Sequence, residues 1–122
     1  RMIERLGEFP DNVCAFVCHG HVTRDDYVTV LVPAVEAALQ RHDKLRLYYE
    51  TAPDFTEIDP SAVWQDTAVG VSHFTRWERI AVVTDIEWIR STVQFFKFIM
   101  PAPMKIFPNA EAVEARRWII EN

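Results

Sequence analysis

A run of six apolar residues, Val13–Cys18 (VCAFVC), passes without a polar side chain. A strand with one wet face alternates apolar and polar residues, so an unbroken run predicts a strand buried on both faces. Such strands belong to parallel sheets whose two faces are covered by helices. The rest of the chain supplies both kinds of element. Lys44–Glu50 (KLRLYYE), Arg79–Thr84 (RIAVVT) and Met104–Phe107 (MKIF) read as further strands, and Met2–Leu6 as a short edge strand. Arg24–Arg41 carries Tyr27, Val28, Leu31, Val35, Ala38 and Leu39 at spacings of three and four, which predicts a helix. Thr23 with Asp26 resembles a capping box at its start, and Pro33 predicts a kink or a restart with proline in a first turn. Thr51–Asp59 is expected to be loop. Asp59 as N-cap and Pro60 in the first turn open a helix toward His73, with Val63, Trp64, Thr67 and Val71 on one face. Asp85 opens another that ends at or before Met100, because Pro101 and Pro103 follow. Asn109 is expected to cap a last helix through Ile120. The order β-β-α-β-α-β-α-β-α argues for an α/β sheet with helices packed on it.

The chain is 122 residues long, 49% hydrophobic and 25% charged, which suits one domain over residues 2–122 with a sizeable core. That apolar content excludes disorder, and no stretch approaches the roughly 20 apolar residues of a membrane span. A formal charge of −5 with no Lys/Arg cluster argues against nucleic acid as a partner. No secretory signal is visible, and Arg1 ahead of Met2 reads as an addition before the natural start. Cys14 and Cys18 would face the same side of one strand about 13 Å apart, too far for a disulfide. They read as reduced core thiols of a cytoplasmic protein.

The chemistry-bearing residues form no recognisable catalytic signature. With three glycines there is no phosphate-cradling loop, and no G-x-S-x-G, G-x-G-x-x-G or H-E-x-x-H stretch occurs. Cys14, Cys18, His19 and His21 are metal-ligand types, but an extended buried strand cannot converge its cysteines on one ion. No metal and no cofactor is therefore expected. His19, Asp25, Asp26, Asp59, Ser61 and His73 are possible acid–base partners that the sequence does not bring together. Asp25 and Asp26 read more simply as first-turn carboxylates favoured by the helix dipole.

The informative segment is 85–100, DIEWIRSTVQFFKFIM. On a helix turning about 100° per residue from Ile86, its apolar residues occupy roughly half the circumference, from about 180° to 360°. Glu87, Arg90, Ser91, Gln94 and Lys97 fill much of the remainder, with Phe98 among them. A sheet-covering helix needs a stripe only somewhat wider than about 100°. The excess must bury against a neighbouring helix, a ligand in an apolar cavity, a membrane surface or a second copy of the chain. Trp64, Phe74 and Trp77 form a second aromatic group, on and just after the preceding helix, and a pocket between the two groups is the default site.

Taken in order, Asp26-Tyr27, Leu31–Glu36 (LVPAVE), Leu45–Tyr49 (LRLYY), Phe55…Asp59-Pro60…Trp64, Glu78–Thr84 (ERIAVVT) with Trp88, and Phe107…Ala115…Trp118 resemble the SpoIIAA-like proteins. These are bacterial relatives of the STAS and anti-sigma-factor-antagonist domains, and the resemblance spans essentially the whole chain. It implies a central mixed β-sheet of about five strands with about four helices. It also implies non-polar ligand binding and membrane association through a helix that opens and closes. Antagonists carry an Asp-Ser-Ser-Gly stretch whose first serine is phosphorylated by a kinase partner. The matching stretch is Asp59-Pro60-Ser61-Ala62, where proline replaces that serine and alanine the glycine. The phosphoswitch is thus not expected here. The reading that results is a non-enzymatic module binding a non-polar or amphipathic small molecule, possible homodimerisation included, cytoplasmic or peripheral at a membrane. Trp64, Trp77, Trp88, Phe95, Phe96 and Phe98 are the candidate walls. The alternative is a signalling adaptor that binds a protein partner.

Overall fold

The structure is a computed structural model, and it describes residues 2–62, 73 and 75–122. Five strands form the main sheet in the order β1-β2-β4-β6-β7: β1 (Ile3–Arg5), β2 (Val13–Cys18), β4 (Leu45–Thr51), β6 (Trp77–Val83) and β7 (Met104–Phe107). Only the edge strand β1 runs antiparallel, pairing Ile3 with Cys18; the other neighbours are parallel. The mixed α/β architecture is the one the sequence implied.

The unbroken apolar run behaves as expected of a strand covered twice. Cys14, Phe16 and Cys18 point into one core with Tyr27, Val35 and Ile89. Val13 and Ala15 point into the other with Tyr48, Ala81, Ala115 and Ile119. The two cysteines share a face without a disulfide. Burial pushes the Cys14 thiol up to about 11, so it stays protonated and unreactive.

The first helical segment is stepped. Thr23 and Asp26 form the expected capping box: the Asp26 N–H donates to Thr23 Oγ1 at 3.3 Å, and the Thr23 N–H to the Asp26 carboxylate at 2.8 Å. Arg24–Asp26 is α-helical, Tyr27–Leu31 is π-helical, and Val32–Arg41 is α-helical with Pro33 in its first turn. Proline has no N–H to give to the preceding turn. The wider π-turn, in which the Val32 N–H donates to the Tyr27 carbonyl, absorbs that gap without ending the helix.

Several boundaries differ from the sequence expectation. The presumed loop 51–59 contains β5 (Glu57–Ile58), which pairs in parallel with the short β3 (His21–Val22). Two-residue strands carry too little pattern to be read. Gly20 turns the chain between β2 and β3 at φ 49°, a left-handed conformation that suits glycine. Residues 60–62 are helical as expected, whereas the remainder of that predicted helix, including Trp64, and Phe74 beyond it lie outside the described residues. Trp77, expected on a connecting link, is the first residue of β6 and is buried. Asp85 precedes its helix, which runs Glu87–Lys97. Asn109 lies in a 3-10 turn, Asn109–Glu111, and the terminal helix is Ala112–Ile120. Neither side chain is free to cap. Asn109 Oδ1 accepts the Asp85 N–H at 2.9 Å, the Asp85 carboxylate accepts the Asn109 N–H at 3.1 Å, and Asn109 Nδ2 donates to the Thr51 carbonyl at 2.8 Å.

Candidate functional site

The Glu87–Lys97 helix is set on the sheet by polar contacts at the end of β6. Thr84 is fully buried, and its hydroxyl accepts from Thr51 Oγ1 at 2.8 Å and from the Ile86 N–H at 3.1 Å. Arg90 Nη1 returns to the Thr84 carbonyl at 2.9 Å, which fixes the first turn against the strand. These contacts were not legible in the sequence, since a threonine ending a β-branched strand looks like one more strand residue.

Anchored in this way, the helix divides its broad apolar arc. Ile89 is buried, and Ile86, Val93 and Met100 pack partly against the same core, centred at about 330° on the wheel. Trp88, Thr92, Phe95 and Ile99, near about 200°, follow one another at spacings of four, three and four along the flank of the helix. That flank faces solvent: Trp88 is 45% exposed, Phe95 64% and Ile99 52%, and Phe98, to one side of it just past the helix, is 92% exposed. Phe96 is half-buried and meets Phe95 edge-on, with ring centroids 5.7 Å apart. Of the six wall candidates, Trp88, Phe95, Phe96 and Phe98 thus share one helix and its final turn. Trp77 lies in the core below, and Trp64 falls outside the described residues, as does any pocket that would include it. The Pro101-Ala102-Pro103 segment then returns the chain to β7, with Ala102 buried.

The titratable groups pair locally. His19 lies between Asp54, 2.9 Å from Nδ1, and Glu4, 2.7 Å from Nε2. His73 meets Glu36 at 2.9 Å. The Asp59 carboxylate bonds His21 Nε2, and this contact raises the ring above its ordinary range. An acid–base reading would need His19 or His73 beside Asp59, and neither contact forms. Asp25 and Asp26 occupy the first helical turn, as expected. Ser61 is exposed and Ala62 fully buried at the start of the helix that follows Asp59. Among the described residues, no group of three or more His, Cys, Asp or Glu is placed to hold a metal ion. No described helix is long and apolar enough to cross a membrane.

A largely parallel sheet with one antiparallel edge strand, carrying an exposed aromatic helix flank, defines a mixed α/β domain. The SpoIIAA-like family matches residues 13–120, and the chain belongs to that family. Its fold is also that of an uncharacterised protein with a SpoIIAA-like fold from Shewanella loihica PV-4. The two are 22% identical, with a TM-score of 0.68 over 96% of this chain and 90% of that one. No curated protein matches.

Proposed function

We propose that this protein is a non-enzymatic binding module that takes a non-polar or amphipathic small molecule at the flank of the Glu87–Lys97 helix, with contact to a bilayer as the route of exchange. The observation that carries this reading is the stripe of Trp88, Phe95 and Ile99, continued by Phe98, all left in solvent by a helix whose opposite edge is already packed. Large apolar side chains grouped on one surface mark interaction sites more often than they mark ordinary surface. Trp and Phe also suit the boundary between water and an acyl phase. The helix carries only two cations, Arg90 and Lys97, and Arg90 is occupied with the Thr84 carbonyl. With a chain charge of −5, contact with a bilayer would be driven by apolar insertion, not by attraction to anionic lipid.

Native mass spectrometry of the protein after incubation with phosphatidylcholine vesicles tests this, together with co-sedimentation. Lipid-bound protein and vesicle association that is not strengthened by anionic lipid are expected. The Phe95→Ser/Phe98→Ser double variant should lose both, while its stability stays within about 1 kcal/mol of wild type, as for exposed positions. Clean apo protein with no vesicle association would sink the reading.

A further inference from the structure

The core on the helix-covered face of the sheet holds a polar atom with nothing to bond. Trp77 is only 6% exposed, and its indole Nε1–H finds no acceptor among the described residues. Buried donors are nearly always paired, because an unpaired one forfeits the hydrogen bond it made with water. The ring belongs to the core cluster on the sheet face that the Glu87–Lys97 helix helps to cover, a cluster that also holds Leu45, Ile80 and Ile89, with Met100 and Met104 packed partly against it.

Topology brings this donor to the end of the sheet where the exposed flank finishes. Trp77 begins β6, and the helix that follows runs back over the sheet for about 16 Å, close to the roughly 20 Å length of the strand. Its final turns, with Phe95, Phe98 and Ile99, therefore return to the end of the sheet where Trp77 sits. The chain re-enters the sheet there too: the Ile80 N–H donates to the Pro103 carbonyl at 3.0 Å. Nearby cations are already engaged with backbone. Lys44 Nζ donates to the Thr75 carbonyl at 2.6 Å, and Arg76 Nη2 to the His42 carbonyl at 2.9 Å.

Resting on the binding function proposed above, we infer that the Trp77 indole N–H is the polar anchor of the site, and that its ligands carry a neutral carbonyl oxygen on an apolar chain: a ketone, ester or amide. A bare hydrocarbon leaves the donor unpaired. An ionised carboxylate brings a charge into a buried layer whose orphaned donor is neutral.

Binding of decan-2-one and of undecane, which has the same number of heavy atoms, separates the possibilities. Wild type should bind the ketone roughly three- to tenfold more tightly, the range of one neutral hydrogen bond, and Trp77→Phe should remove the difference. Because that variant alters the core, the indole N–H resonance of Trp77 in the wild-type protein is followed as well. It should shift downfield with the ketone and stay in place with the alkane. Equal binding of both probes, or an indole resonance that contacts water and ignores the ketone, overturns the anchor and leaves the binding function standing. Failure of both probes to bind overturns both.

Discussion

Two helices follow parallel strands onto this sheet, and they meet opposite fates. The Ala112–Ile120 helix commits its buried face, its last carbonyls and its tryptophan to its neighbours. Ala115 and Ile119 are fully buried against Ala15, Tyr48 and Ala81. Its last carbonyls, which an isolated helix would leave to water, are claimed by arginines from the strands beneath. Arg79 Nη1 donates to the Trp118 carbonyl at 2.8 Å, and Arg46 Nη1 to those of Ile119 at 2.8 Å and Glu121 at 2.6 Å. Trp118 is held beneath the Arg79 guanidinium and the Lys105 ammonium, 5.4 and 5.0 Å from its ring. Cations at a helix C-terminus also complement its dipole. The Glu87–Lys97 helix buries Ile89 and leaves Trp88 and Phe95 in water, with Phe98 and Ile99 exposed just beyond it. Of its large apolar side chains the first helix leaves only the aliphatic Val113 and Ile120 exposed, and it keeps its tryptophan under cations; the second leaves aromatic surface in water, which is what a binding surface requires.

The comparison breaks first at the core of the terminal helix. Ile119→Ala should cost about 2–5 kcal/mol by urea denaturation, the range for truncating a fully buried aliphatic side chain. A value as small as that of Phe98→Ser would erase the distinction between the helices. Arg46→Met should cost less, about 1–3 kcal/mol, because it keeps the aliphatic stem but leaves the Ile119 carbonyl and the Glu78 carboxylate without that donor, and the Glu121 carbonyl with Arg79 Nη1 alone. Amide hydrogen exchange in that variant should quicken at the C-terminal end of Ala112–Ile120 and remain unchanged in Glu87–Lys97.

The smallest effects are electrostatic. Arg41 and then His42 hold the Asp11 carboxyl down at about 2, below the unfolded value of about 3.9. Its contribution to stability is therefore complete above about pH 5 and fades as the pH falls toward 2. Thermal midpoints of wild type and Asp11→Asn should differ slightly at pH 6 and converge near pH 2. His21 has the opposite sign: Asp59 raises it, so its contribution is complete at low pH and is lost as the pH rises through the folded value.

Much of the fold was legible because it rests on periodicity. Val13–Cys18 and Met104–Phe107 are strands at the expected residues, and Thr23 with Asp26 makes the anticipated capping box. What misled was the local chemistry of polar residues with two possible uses. Asp85 and Asn109 have the composition of N-caps, yet each satisfies the other across 24 residues, an arrangement that only the folded chain offers. Trp77 looked like part of an aromatic link because Glu78 and Arg79 interrupt the apolar run. In the sheet, a register irregularity between Leu45 and Arg46 puts Trp77 opposite Leu45 and Arg79 opposite Arg46, so the tryptophan enters the core.

For the site, the width of the apolar arc on residues 85–100 was a property of sequence, since side-chain spacing and helix pitch fix it whatever the neighbours are. Which half of that arc is covered was not. The Thr84 contacts with Thr51, Ile86 and Arg90 set how the helix lies on the sheet, and burial of Ile89 leaves Trp88, Phe95 and Ile99 outside. Orphaning of the Trp77 indole N–H is likewise a tertiary fact. A sequence states how many donors a chain has, and only packing decides which of them is sealed from water without a partner.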